Sequence, residues 1–169
     1  MINKHHTSII SEKAVLGSNV TIGPYCIINE NVKIGNNVNL KAHVYIDGNT
    51  TIGNNCTFFP YCSIGTSPQD LKYKGEESEL KIGNNNIFRE YVTVNPGTEG
   101  GGLKTVIGNN CLFMINAHIA HDCKIGNNVI MVNNASLAGH VILEDYAIMG
   151  ALSGAHQFCR IGKHSMIGG

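Results

Sequence analysis

The stretch Val20-Thr21-Ile22-Gly23-Pro24-Tyr25-Cys26-Ile27-Ile28-Asn29-Glu30-Asn31-Val32-Lys33-Ile34-Gly35-Asn36-Asn37-Val38-Asn39-Leu40 repeats its pattern every six residues. An aliphatic side chain stands at Ile22, Ile28, Ile34 and Leu40, and two positions before each stands a small or β-branched residue: Val20, Cys26, Val32 and Val38. Alternate residues of a strand share a face, so each hexad buries two side chains of a short strand and then turns. Neither a helix nor a hairpin produces this period. Gly-Asn-Asn occurs at 35, 53, 83, 108 and 126, and both residue types accept the positive φ of a tight corner.

Outward from this stretch the period runs back to Ile10 and forward to Ile64, returns at Ile82, Phe88 and Val94, and resumes again from Ile107 to Ile167. Three strands and three corners make an 18-residue coil, a spacing kept by Gly17, Gly35 and Gly53. Coils stacked about 4.8 Å apart would hydrogen-bond as a parallel sheet on each face of a prism. The pattern predicts one all-β domain over residues 1–169, a parallel β-helix, broken by loops at about 66–81 and 95–105. Asp70 and Glu76 stand where aliphatic residues belong in the first break, and Gly100-Gly101-Gly102 marks the second. Long loops on a rigid scaffold usually carry function. An outward apolar face is expected near Phe113 and Met114.

The formal net charge is zero with 12 basic and 12 acidic residues and no basic cluster, which argues against nucleic acid and anionic membranes as partners. No apolar leader or membrane-length run is present, so a cytoplasmic protein without an integral membrane segment is expected. Cys26, Cys56, Cys62, Cys111, Cys123 and Cys159 all fall on the small-residue phase of the repeat, which makes them reduced core residues rather than disulfides or metal ligands.

Ile119, Leu137 and Ala155 are 18 residues apart and so mark one corner of three stacked coils. His121, His140 and His156 lie just past these positions, which places three imidazoles within about 10 Å, pointing outward. An imidazole can act as a general base at neutral pH. Asp122 either is solvated at its corner or holds the His121 tautomer. His5, His6, His43 and His164 lie elsewhere and are read as ordinary exposed residues. Three histidines could also bind zinc, as in trimeric β-helix carbonic anhydrases. That family separates two ligands by four residues on one coil, a spacing absent here, so neither metal nor other cofactor is expected.

Four segments are more specific than the hexads: Gln69-Asp70-Leu71-Lys72-Tyr73, Met114-Ile115-Asn116-Ala117-His118-Ile119-Ala120-His121-Asp122-Cys123, Leu137-Ala138-Gly139-His140 and His156-Gln157-Phe158. With them the whole chain resembles the acyl-carrier-protein-dependent UDP-N-acetylglucosamine 3-O-acyltransferases of lipid A biosynthesis. The resemblance implies a left-handed coil, which periodicity alone does not fix, since parallel crossovers are normally right-handed. It implies that His121 deprotonates the glucosamine 3-hydroxyl, which attacks the thioester of a 3-hydroxyacyl carrier protein, and that the Gly139 N–H stabilises the oxyanion. It further implies that Gln69, Asp70 and Lys72 contact the sugar nucleotide, while His118, His140, His156 and Gln157 line the cleft. The family is homotrimeric, with loop and histidine corner meeting across subunits.

Two departures accompany the resemblance. Pro96 stands where the family usually has a basic residue before Gly-Thr, and the family continues into further coils and a helical domain, a part expected to be lacking beyond Gly168-Gly169. The alternative function is a non-catalytic trimeric β-helix scaffold or truncated remnant. A related hexapeptide N-acyltransferase fits less well, because its usual N-terminal domain is absent and the Asp70-Leu71-Lys72-Tyr73 loop is foreign to it.

Overall fold

The computed structural model describes residues 2–169. Most strands are two residues long, and every third strand in sequence joins the same sheet, giving one sheet of nine strands and two of eight, all parallel. Such order requires the chain to wind as a triangular coil. Register steps are 18 residues, as in Thr21↔Asn39 and Tyr45↔Ser63, except across the loops, where Thr57↔Ile87 and Ile87↔Leu112 lengthen them.

The interior is a column of the two buried phases. Phe58, Phe88 and Phe113 stack within it at centroid separations of 4.6 and 4.8 Å. Phe113 is therefore fully buried on the aliphatic phase, and the outward apolar residue of its coil is Leu112. The outward apolar row lies one residue earlier, as Ile87, Leu112, Ile130, Ile148 and Met166 in register along the nine-stranded sheet, where the lower coils carry Asn3, Thr21, Asn39 and Thr57.

All six cysteines are free, and five are buried. Burial pushes the Cys62 and Cys123 thiols up to about 12. Cys159 departs from the expectation of a core position: it is exposed, because no further coil stacks over it in the described residues.

Glycine has a different task from the one expected. Positive φ falls on the second asparagine of each Gly-Asn-Asn, at Asn37, Asn55, Asn85, Asn110 and Asn128. Gly35 is needed for close approach, since a Cβ there would lie 2.6 Å from Asn54 Oδ1 and 2.8 Å from the Gly53 backbone carbon.

Both loops are shorter than the composition suggests. Glu79–Ile82 is already a strand, paired with Asn49–Ile52 and Lys104–Ile107, with Leu80 fully buried and Glu79 bridged by Lys81 and Lys104 at 3.2 and 3.4 Å. The excursions thus occupy residues 66–78 and 95–103. The second contains the short 3-10 turn Glu99–Gly101. Asn95 anchors the root of the first, its amide donating to the Thr66 and Ser67 carbonyls. No helix in the described residues is long and apolar enough to cross a membrane.

Candidate active site

His118–Ile119 places Ile119 in the core, so Ala120 and His121 turn the corner and Asp122 takes the positive-φ position (φ 60°) that ends it. This directs His121 and Asp122 toward the loops, and both are covered: His121 is 6% exposed and Asp122 4%. His121 thus lies outside the prism core, beside the groove, yet covered. The loops bury it, and their path has no period to announce it.

The His121 Nδ1 lies 2.8 Å from Asp122 Oδ2. Because a carboxylate only accepts, Nδ1 is the donor in this pair, and the neutral imidazole of that tautomer carries its lone pair on Nε2. Thr98 donates twice to the same carboxylate, from its backbone N–H to Oδ1 at 2.9 Å and from its hydroxyl to Oδ2 at 2.6 Å. The Asp122 N–H donates to Thr105 Oγ1 at 2.8 Å. A carboxylate with three donors can stay ionised while buried. Of the two readings of Asp122, the solvated one does not describe this geometry.

Two glycines make room for the pair. A Cβ on Gly101 would lie 1.9 Å from Asp122 Cγ, and one on Gly139 would lie 2.4 Å from His121 Cε1. Glycine at 139 thus lets the imidazole itself lie across the next coil, in addition to leaving the backbone open. The Gly139 N–H has no acceptor among the described residues.

His140 meets His121 edge-on at 5.0 Å, stacks on Phe158 at 4.4 Å, and brings Nδ1 to 3.8 Å from Asp122 Oδ2. His118 Nδ1 lies 2.7 Å from Thr93 Oγ1. Burial, followed by the charge of His121, holds the His118 imidazole below its ordinary value. A groove of about 530 Å³ opens beside His121, with Gln69, His118, Gly139, His156 and Gln157 on its walls. Asp70 Oδ2 approaches His121 Nε2 to 3.9 Å from the loop of the same chain. Loop and corner therefore approach each other within one chain. Lys72 stands apart: it is exposed, and its backbone N–H donates to Asp70 Oδ1 at 2.9 Å.

His121, Asp122 and His140 offer ligand atoms within 4.8 Å of one another. Within this group Asp122 Oδ2 accepts from both His121 and Thr98. A second cavity of about 480 Å³, lined by Lys13, Glu30, Lys33, Asp47 and Tyr73, lies on lower coils away from the imidazoles, and its Lys13 and Glu30 pair at 2.6 Å. The sequence pattern gives no role to Thr98 or Thr105, and it marks Gly101 only as part of a loop. Only the Gly-rich composition of the second loop hinted at a close approach there.

Comparison with known proteins agrees with this construction. Residues 13–48 and 104–139 match the family described as bacterial transferase hexapeptide (six repeats). The acyl-[acyl-carrier-protein]–UDP-N-acetylglucosamine O-acyltransferase of Aliarcobacter butzleri is 61% identical over all 169 residues, which cover 65% of that protein. LpxA from Acinetobacter baumannii superposes with a TM-score of 0.96 at 50% identity, over 99% of this chain and 64% of that one. The UDP-N-acetylglucosamine O-acyltransferase (LpxA) from Moraxella catarrhalis gives 0.96 at 44%, over 99% and 65%. The chain thus spans just under two thirds of the length of these relatives, and its coil is left-handed as theirs is. By sequence along its whole length and by fold, the chain is similar to the UDP-N-acetylglucosamine O-acyltransferases, and it carries bacterial transferase hexapeptide repeats over residues 13–48 and 104–139.

Proposed function

We propose that the chain carries the chemistry of transfer of a 3-hydroxyacyl group from acyl carrier protein to the 3-hydroxyl of UDP-N-acetylglucosamine, the first step of lipid A biosynthesis. The observation that carries this reading is the buried His121–Asp122 pair, with its free Nε2 beside the groove and the unengaged Gly139 N–H one coil away. His121 Nε2 takes the hydroxyl proton as the oxygen attacks the thioester carbon, a role worth about 10²–10⁴-fold. The oxyanion that forms accepts from the Gly139 N–H, worth about 10²–10³-fold. Collapse breaks the C–S bond, and the imidazolium gives its proton to the leaving carrier-protein thiolate, which departs as the thiol. Asp122 holds the tautomer and balances the imidazolium charge.

Gln69 and Asp70 position the sugar, Lys72 offers a cation to the anionic nucleotide, and His118, His140, His156 and Gln157 shape the cleft. The working unit in this reading is a cytoplasmic homotrimer. The outward row of Ile87, Leu112, Ile130, Ile148 and Met166 supports a subunit interface, and six free thiols suit a reducing compartment. An assay of the purified chain with 3-hydroxyacyl carrier protein and UDP-N-acetylglucosamine tests the proposal. Transfer lost on His121→Ala supports it, and an inert parent chain that still binds the nucleotide points to the scaffold reading.

A further inference from the structure

We propose that Thr98 is a positioning residue for the His121–Asp122 pair, its hydroxyl and amide locking the Asp122 carboxylate so that one tautomer of His121 faces the groove. The inference rests on the reading of His121 as the general base.

Asp122 Oδ2 sits between three donors at different distances: the Thr98 hydroxyl at 2.6 Å, His121 Nδ1 at 2.8 Å and His140 Nδ1 at 3.8 Å. His140 is thus a competitor one coil above, and a carboxylate turned toward it would leave Nδ1 of His121 without an acceptor. Oδ1 is pinned by the Thr98 N–H at 2.9 Å. Two donors from one residue, one to each oxygen, fix the plane of the carboxylate as well as its place, in the manner of a bidentate clamp. Thr98 is 5% exposed, so water does not replace the hydroxyl readily if it is removed.

The clamp is itself held. The Leu103 N–H donates to the Thr98 carbonyl at 2.8 Å, closing the turn, and the Glu99 N–H donates to Glu76 Oε1 of the first loop at 3.1 Å. Gly101 lies so close above the carboxylate that no side chain fits there. Thr98 touches neither the groove nor the imidazole, so it acts on the reaction only through Asp122.

The test compares the parent chain with Thr98→Val, Thr98→Ala, Thr98→Ser and His121→Ala. Nitrogen-15 spectra of the imidazoles read the His121 tautomer whether or not the chain turns over, and steady-state kinetics separate kcat from KM. The parent and Thr98→Ser are expected to show a single tautomer protonated on Nδ1. Thr98→Val is expected to show mixed tautomers and a kcat about 10–100-fold lower at nearly constant KM, the size of one lost hydrogen bond to a charged group. If Thr98→Val does not fold, Thr98→Ala removes the same hydroxyl without bringing a new methyl. A single Nδ1 tautomer in the hydroxyl-less variants, or an unchanged kcat, overturns the proposal. Undiminished transfer in His121→Ala instead overturns the reading of the base, while the spectra still decide on Thr98. If the parent shows no transfer, the tautomer alone decides.

Discussion

Along one edge of the prism the positive-φ corner is filled by Asn37, Asn55, Asn85, Asn110 and Asn128, and along another the upper coils place Asp122, His140 and Phe158 there. On the first edge each side chain serves its neighbour: Asn37 donates to Asn55, Asn55 to Asn85 and Asn85 to Asn110, each at 3.0 Å. One residue earlier, the Asn36 and Asn54 N–H groups donate to the side chains of Asn54 and Asn84 at 2.7 Å. That ladder runs from coil to coil and faces water. The second edge is irregular, and its carboxylate turns sideways to an imidazole and to a loop rather than to the coil above. The same backbone turn thus supports cohesion where its residues repeat, and chemistry where they differ and a loop covers them.

The comparison breaks first at His121. His121→Ala is expected to cut kcat/KM for acyl transfer by about 10²–10⁴-fold, the range of a general base, as read in a coupled assay. A loss below about tenfold would put the histidine edge on a par with the asparagine edge.

Two glycines sharpen it next. Gly35→Ala drives a methyl against backbone at 2.8 Å, so it is expected to lower unfolding free energy by about 1–3 kcal/mol. Gly139→Ala meets a side chain, the His121 ring at 2.4 Å, which can swing away, so it is expected to lose activity with the smaller loss of stability. Urea unfolding and the transfer assay on both variants check the pair, and equal stability losses would contradict it.

Asn54→Ala leaves the Asn36 N–H to water and is expected to cost about 1 kcal/mol with no change in transfer, measured by the same two methods.

The smallest effect concerns His118, which burial holds below its ordinary value near 6.5. The unfolded chain therefore binds this proton more readily than the folded one. Stability from the neutral imidazole is fully present above the unfolded value, and it is lost progressively as pH falls toward and through the folded value. Melting curves across this range should flatten in His118→Gln relative to the parent.

The coil was legible because its signal is periodic: Ile22, Ile28 and Ile34 say the same thing three times, and 18-residue arithmetic then brings His121 and His140 to one corner. What was hidden lacks a period. Thr98 reaches Asp122 from a loop whose path follows from no repeat, and Asp70 reaches His121 from another. Cys159 shares the core phase yet is exposed, since phase states which way a residue points and not whether a neighbour covers it. Leu80 was assigned to a loop because Asp70 and Glu76 had broken the pattern, although its alternation with Ile82 already marks a buried strand.

The strands that follow the two excursions, Glu79–Ile82 and Lys104–Ile107, rejoin the same sheet side by side although different lengths of chain precede them. The scaffold therefore registers only the phase at which the chain returns and is blind to what happened meanwhile. Residues 66–78 and 95–103 amount to two open addresses on a fixed frame, where length can drift without disturbing the core, while Thr98 and Gly101 tie the second address to the imidazole edge. A fold of this kind acquires new specificities by editing its detours, and each detour can be rewritten without renegotiating the core.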